Sequence, residues 1–215
     1  MNNTAVEDLF IREEAIDNSA ACNVTEVTAT EAAALTYETA TNGGVYKLTT
    51  DGTVGGTART KGTFLKASIA DTTLTWSVAE SSDITGYKES DVRDWKRWGR
   101  DHSKDLGITA WLHNATKFGG NSAAGAATIV LESSADGATW ADVASAAGSV
   151  SGVDRNARLA FFLLPRAGLK QYVRIKVKVT TQFTDGTNAT APVLSVGLDN
   201  DSENDIDRSM VQSKL

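Results

Sequence analysis

The chain has 215 residues, a formal net charge of −6 and a pI near 5.0. This acidic balance excludes a nucleic-acid-binding protein whose whole surface is basic, and no apolar run reaches the roughly 18 residues that a membrane-spanning helix needs. The single cysteine, Cys22, excludes an internal disulfide, so the fold must rest on packing and strand pairing.

The first 44 residues differ in pattern from the rest of the chain. Thr4 followed by Glu7 is typical of a helix-capping box. Apolar residues then recur near helical spacing, at Val6, Leu9, Phe10 and Ile16. Residues 18–44 are rich in alanine and threonine, which predicts an extended lead-in that ends at a turn. We therefore predict an N-terminal helical or extended arm over residues 1–44, which either packs on its own domain or docks on a neighbouring subunit.

Strand patterns begin at residue 45. Residues 45–50 and 63–69 are strand-like, and each stretch stops at a turn signal. In residues 73–78 apolar and polar residues alternate, which places Leu74, Trp76 and Val78 on one face. This period of two is typical of a half-buried strand. We assign the tryptophans on predicted strands to the core, at Trp76, Trp111 and Trp140.

Residues 85–106 break the strand pattern and are predicted to be a charged insertion. Val92, Trp95 and Trp98 recur every three residues, which is compatible with a short helix or a 3₁₀ stretch. Tryptophan and arginine dominate interface energies, so Trp95, Arg97 and Trp98 are candidate contacts with another protein. The alternative is that both tryptophans cap the domain's own core. Nucleic acid is not an expected partner, because residues 87–106 hold six Lys/Arg against five Asp/Glu.

Further strands follow the insertion. Residues 108–113 and 127–133 are strand-like, and Ser134-Ala135-Asp136-Gly137 before Trp140 predicts a hairpin. The apolar run from Arg158 to Leu164 predicts a strand buried on both faces. One location that would bury both faces is a contact between subunits. Apolar and polar residues alternate strictly over residues 172–179. The valines and Ile175 should therefore face inward, and the basic residues Arg174, Lys176 and Lys178 should face outward. Residues 191–198 give the last strand.

These patterns together predict an all-β chain. The number of short strands favours a jelly-roll-like antiparallel β-sandwich over residues 45–200, interrupted by the insertion at about 85–106. The arm over residues 1–44 precedes it, and an acidic tail over residues 201–215 follows it.

The second half of the chain carries an ordered pattern. A Ser-x-Asp-Gly-x-x-Trp hairpin ends at Trp140, Leu164-Pro165 closes an apolar strand, Tyr172-Val173-Arg174 opens the next, and residues 191–198 lead out to acidic sequence. In this it resembles the jelly-roll cement proteins that decorate the heads of tailed phages, over roughly residues 107–200. The resemblance implies a structural virion protein, made in the host cytoplasm, that binds the major capsid protein on the outer capsid surface as a homotrimer.

Catalytic and metal-binding patterns are weak. No motif places His102 or His113 beside a nucleophile, and Cys22 has no partner at metal-ligand spacing. The acidic residues 199–205 alternate like a calcium loop, but Asn204 and Met210 stand where an EF-hand has its glycine and its bidentate glutamate. Asp and Glu are plentiful without any pair being selected for glycoside hydrolysis. We therefore predict no catalytic residue, no cofactor and no metal.

Three hypotheses remain at this point. The first is a cement protein that acts by adhesion, in which many equivalent weak contacts make a strong coat. Its candidate contact residues are Leu9, Phe10, Trp95, Arg97, Trp98, Phe161 and Phe162. The second is a carbohydrate-binding β-sandwich module, discoidin-like or associated with a phage fibre. The third, an enzyme, would need a cleft with paired carboxylates.

Overall fold

The computed structural model describes residues 9–95, 107–118, 122–151, 158–165 and 169–199. The chain is mostly β, with 55% strand and 8% helix, which confirms the all-β sandwich class. In chain order the elements are β1 (Leu9–Ala15), β2 (Val24–Val27), α1 (Ala29–Ala34), β3 (Val45–Leu48), β4 (Gly52–Val54), β5 (Thr57–Arg59), β6 (Phe64–Ala70), β7 (Thr73–Val78), β8 (Tyr87–Glu89), β9 (Arg93–Asp94), β10 (Gly107–Leu112), β11 (Ala124–Ser134), β12 (Ala141–Ser151), β13 (Arg158–Leu163), β14 (Tyr172–Thr184) and β15 (Val193–Asp199). Short 3₁₀ turns span Ser81–Asp83 and Ala115–Phe118.

Two antiparallel sheets form the main sandwich. Sheet 1 has the strand order β1-β15-β10-β13, and sheet 2 has the order β12-β11-β14-β8, with β9 also pairing with β14. The largest core cluster fills the space between them, with Ile108, Leu112, Leu131 and Ile175 almost fully buried. The predicted hairpin at the Ser134–Gly137 turn is confirmed, because β11 and β12 pair antiparallel on either side of it.

Strict alternation makes β14 a two-faced strand. The side chains of Val173, Ile175 and Val177 join the sandwich core, as predicted from the period of two. The opposite face carries Arg174 and Lys176. The expectation that these basic residues face solvent is wrong for Lys176, whose residue exposure is only 1%, because a third sheet covers this face.

Sheet 3 is built from residues between β1 and β8. Its strand order is β2-β3-β6-β7, with β2 and β3 parallel and the other pairs antiparallel. One face contacts sheet 2 through a small cluster of Val24, Val45 and Tyr87. The other face carries α1 and the β4–β5 hairpin on a second small cluster that contains Leu48 and Leu65. Strands β2, β3, β6 and β7 thus form a layer of their own, stacked outside the two sheets of the sandwich.

The first described residues form a strand, so the helix expected from apolar spacing is wrong over β1. Strand β1 pairs with β15, and two register shifts lie within it. The shifts let the consecutive residues Phe10 and Ile11 both be buried, at 6% and 2% exposure. Burial against the sandwich core overrides the local spacing, which a helix could also have produced.

The alanine- and threonine-rich lead-in is more ordered than predicted. It contains β2 and a helix, α1, that begins with a capping box in which Thr28 and Glu31 exchange hydrogen bonds. In the insertion, β8 and β9 both pair with β14, so residues 87–94 extend sheet 2.

Several predictions concern parts of the chain outside the described residues. These are the Thr4–Glu7 capping box with Val6, the contact residues Arg97 and Trp98, His102, and the acidic tail over residues 201–215.

Candidate functional site

An ion cluster lies between sheet 2 and sheet 3. Strand periodicity creates it, because the outer face of sheet 2 and the inner face of sheet 3 both present charged side chains to the same layer. The cluster alternates cations with carboxylates, and its members are Glu26, Lys47, Glu89, Glu132, Asp142, Arg174, Lys176 and Lys178.

Lys176 is the centre of the ion cluster. Its ammonium nitrogen lies 2.9 Å from a carboxylate oxygen of Glu26, 3.0 Å from Glu132 and 3.2 Å from Asp142. Glu26 belongs to sheet 3, whereas Lys176, Glu132 and Asp142 belong to sheet 2. One buried cation therefore joins the two layers.

Glu89 and Glu132 are also shared between cations. Arg174 Nε donates to Glu132 Oε2 at 2.7 Å, and its Nη2 lies 3.2 Å from Glu89 Oε1. Lys47 of sheet 3 donates to Glu89 and lies 3.7 Å from Glu26. Since Glu26, Glu89 and Glu132 each face more than one cation, the charges are neutralised within the layer, as buried charges require.

The pKa shifts in the cluster follow from this pairing. Burial alone would raise the pKa of Glu26, but the hydrogen bond from Lys176 and the charges of Lys176, Lys178 and Lys47 lower it. Burial opposes the charged form of Lys176, yet its contacts with Glu26 and Glu132 raise its pKa. Burial, followed by the charge of Glu89, raises the pKa of the Tyr87 hydroxyl. All three groups keep their ordinary charge state at neutral pH, so the cluster acts as a structural link.

The predicted contact residues fall in different places. Phe10 is buried in the sandwich core, and Leu9 is half-buried at the start of β1. Trp95 is half-buried against the sandwich core. Phe161 and Phe162 are both half-buried on β13. Among these described residues, Leu9 and Phe10 on β1 lie at the opposite edge of sheet 1 from Phe161 and Phe162 on β13, so the five do not form one patch.

The surface end of β13 is the most apolar of these places. Phe162 packs against the sandwich core, whereas the ring of Phe161 lies over Gly107, where an added Cβ would be 2.1 Å from the ring. The guanidinium of Arg158 lies 5.6 Å from the Phe161 ring centroid. Leu163, which follows, is 58% exposed. Sequence reasoning selected the two phenylalanines and missed Leu163, although it lies in the same apolar run.

A shallow cleft opens between β1 and the β8–β9 segment. Its volume is about 250 Å³. Lys88 and Glu14 form a 2.9 Å ion pair there, and Arg93 Nη2 donates to the Leu9 carbonyl at 3.0 Å. The Lys88–Glu14 ion pair and the Arg93 hydrogen bond thus connect β1 with the β8–β9 segment.

His113 lies beside a hydroxyl that no sequence motif indicated. Its Nε2 is 2.7 Å from Ser195 Oγ, and Ser195 Oγ also accepts a hydrogen bond from the backbone N–H of Glu13. Ser195 is 4% exposed, so the hydroxyl is held between two partners and closed to a substrate. The pair joins β1 to β15 and to the residue after β10.

Trp140, predicted to be a core residue, is half-buried outside the core clusters. Its ring lies 4.3 Å from the guanidinium carbon of Arg174, which is a cation–π contact. The turn before it is fixed by Asp136, which accepts backbone hydrogen bonds from Thr139 and Ala138, and these hold the pKa of that carboxyl below its usual range.

Within residues 9–95, 107–118, 122–151, 158–165 and 169–199, no group of His, Cys, Asp and Glu side chains has the arrangement of a metal site. The same ranges contain no helix that is long and apolar enough to cross a membrane. Cys22 is half-buried, and burial raises the pKa of its thiol.

The chain matches no protein-family model, and searches of curated proteins and of solved structures find no significant match.

Proposed function

We propose that this chain is a structural protein that binds the outer surface of a tailed-phage capsid as an oligomeric cement protein, with a homotrimer as the expected form. The sequence pattern of hairpin, Leu164-Pro165, Tyr172-Val173-Arg174 and final strand supports it, as does the way these pieces fold together. They correspond to β11–β15, which are successive strands of one sandwich.

The surface end of β13 carries the proposal. An apolar strand that finishes at an exposed leucine, with a half-buried phenylalanine beside it, has the composition of an interface core. The ion cluster supports the same function in another way. It ties a third layer to the sandwich, and a stiff three-layer body suits a protein that reinforces a shell.

Binding to heads tests the proposal directly. Purified chain is mixed with emptied heads of the phage that encodes it, the heads are sedimented, and the bound chain is measured. We expect saturable co-sedimentation, and a trimer for the free chain at low concentration in analytical ultracentrifugation. Leu163→Asp should weaken binding by at least tenfold, because a charge in an interface core costs about 2 kcal/mol or more.

Val92→Asp is the matched control. Val92 is 48% exposed and Leu163 is 58% exposed, but Val92 lies between β8 and β9 rather than on β13. The Val92→Asp variant should bind heads like the wild type. A chain that ignores heads at all concentrations, or that binds equally with Asp at position 163, contradicts the proposal.

A carbohydrate-binding module is the second candidate, and the half-buried ring of Trp140 favours it. The half-buried Trp140 ring offers a surface for stacking on a sugar, and Asp142, two residues further along the chain with a side chain 65% exposed, offers a hydrogen-bond acceptor. Glycan-array binding that is lost in Trp140→Ala and kept in the wild type would support this candidate over the first.

A further inference from the structure

Strand β7 is an uncharged edge of sheet 3. Its six residues pair with β6 in unbroken register, from Thr73 opposite Ala70 to Val78 opposite Leu65. No described strand pairs with its other side. Val78 is 56% exposed, and Thr73, Thr75 and Ser77 are exposed as well.

The backbone of β7 presents alternate hydrogen-bonding groups outward. Ala79 N donates to Phe64 O at 2.9 Å, which fixes the phase of the β6–β7 ladder. Residues two apart repeat this bonding in an antiparallel pair. The peptide groups of Leu74, Trp76 and Val78 therefore point away from β6, toward the open edge.

The other edges of sheets 1, 2 and 3 carry features that discourage pairing with a second chain. Strand β1 contains two register shifts and the charged Arg12, and β8 is short and contains Lys88. Strand β2 contains Glu26 of the ion cluster. Strands β12 and β13 lie against each other, so close that a Cβ on Gly148 would be 1.8 Å from Leu159 O. Bulges, charges, shortness and coverage are the usual protections of an edge, and β7 has none of them.

We propose that β7 pairs antiparallel with β7 of a second copy of this chain, about a two-fold axis at Trp76. In this register the outward peptide groups of both copies bond to each other. On one face Leu74 lies opposite Val78 of the second copy, so the apolar row is continuous. On the other face Thr75 lies opposite Ser77, and cross-strand hydroxyl pairs of this kind are favourable.

The strand sequence favours a second copy over a different partner. Two-fold pairing requires a segment that is complementary to itself when reversed. Alternating hydroxyl and apolar residues from Thr73 to Val78 meet that requirement, and the absence of charge avoids like charges across the axis. The contact does not depend on capsid binding. It converts a monomer into a dimer, and it converts a trimer into a hexamer when the three β7 edges of one trimer pair with those of a second.

Analytical ultracentrifugation tests the contact through Val78→Lys. The Val78 side chain lies on the exposed edge strand. A lysine at this position would lie opposite the apolar Leu74 of the second copy. We expect the wild type to reach twice the mass of V78K as concentration rises. The association constant of V78K should be at least about tenfold lower than that of the wild type. Val92→Lys, which adds the same charge at a similarly exposed valine, should associate like the wild type. Equal masses for wild type and V78K overturn the proposal, whether those masses are monomers or trimers.

Disulfide trapping tests the register independently of any change in stability. In a Cys22→Ser background, Thr75→Cys and Ser77→Cys chains are oxidised separately and as a mixture. Residues 75 and 77 of the two copies would be a non-hydrogen-bonded pair with Cα atoms about 4.5 Å apart, which a disulfide can span. We expect a cross-linked pair in the mixture and little in either single variant. No cross-link in the mixture, or equal cross-linking of each variant with itself, overturns the proposal.

Discussion

Lys176 of β14 and Glu132 of β11 form an ion pair at 3.0 Å in which both side chains are nearly inaccessible, 1% and 4% exposed. Removing such charges from water costs several kcal/mol for each ion, and their attraction repays this only when the remaining hydrogen-bonding groups are also satisfied. Here Arg174, Glu26 and Asp142 complete the set. The strength of the cluster therefore depends on its being whole.

Lys176→Met should be strongly destabilising. The methionine would leave Glu132 buried without its lysine and would remove the link to Glu26 of sheet 3. We expect the free energy of unfolding to fall by about 3–5 kcal/mol, the range for breaking one partner of a buried ion pair. Urea unfolding followed by tryptophan fluorescence measures it.

Lys178→Met is the control for that substitution. Lys178 lies on the same face of β14, but its side chain is 30% exposed and contacts only the edge of the cluster, at 3.4 Å from Glu26. The loss should be below about 1 kcal/mol, as for an exposed pair. Equal losses for the two lysines would contradict a central role for Lys176.

Acid should weaken the link between sheet 2 and sheet 3 through Glu26. A carboxyl group whose pKa is lowered on folding contributes stability that is fully present above its ordinary pKa and is lost as the pH falls through the folded-state pKa. The ordinary value is 4.5, and folding lowers the pKa of Glu26. We expect the free energy of unfolding to decrease as the pH falls below about 4.5, measured by urea unfolding from pH 6 to pH 3.

Glu26→Gln should flatten this acid dependence, because the variant lacks the group that takes up the proton. Lys176 adds nothing in this window, since a raised lysine pKa keeps its contribution in place until the pH rises above the ordinary lysine range. Glu38→Gln, at an exposed glutamate of the same region, serves as the control. An acid slope that is the same in E26Q and the wild type would show that other carboxyl groups carry the effect.

The sequence predicts the sandwich best where the structure of an element follows from its local residue pattern alone. The inward-facing side of β14 and the turn at Asp136 each follow from a local pattern, and the structure confirms both. The apolar pattern at Leu9, Phe10 and Ile16 fits either a helix or a strand. A strand with register shifts can bury residues at the same spacing that an amphipathic helix buries. Only pairing with β15, which lies at the far end of the chain, decides between them.

The ion cluster could not be predicted from sequence, for a physical reason. Arg174, Lys176 and Lys178 have the alternation of a solvated strand face, and nothing local shows that residues more than 100 positions away will cover it. Glu26 and Lys176 are 150 positions apart. A weak signal does exist, because Glu26 and Lys47 are the only charged residues of the short, otherwise mostly apolar strands β2 and β3.

Asn18 should be essential for holding the segment after β1 on the sandwich. Its side-chain amide donates to Phe183 O at 2.6 Å and to Thr190 O at 3.1 Å, and its carbonyl oxygen accepts from Phe183 N at 2.6 Å. Asn18→Ala would leave the buried N–H of Phe183 unpaired, whereas Phe183 O would keep its hydrogen bond from Thr190 N, and we expect a cost of about 1–3 kcal/mol. Thermal unfolding should show the loss, whereas Ser19→Ala, at the exposed neighbour, should change the stability little.

Gly148→Ala should open the closed side of the sandwich, where β12 and β13 meet. A Cβ at position 148 would lie 1.8 Å from the carbonyl oxygen of Leu159 and 2.6 Å from its carbonyl carbon. Because these are backbone atoms, neither strand can yield by rotating a side chain, so the strands must separate. We expect a loss of about 1–3 kcal/mol in the free energy of unfolding, the range for inserting atoms into a close-packed region. Ser149→Ala, next along β12 and exposed, adds no atoms and should stay within about 0.5 kcal/mol of the wild type. If Gly148→Ala were as stable as Ser149→Ala, the close approach of β12 to β13 would not be a constraint on the fold.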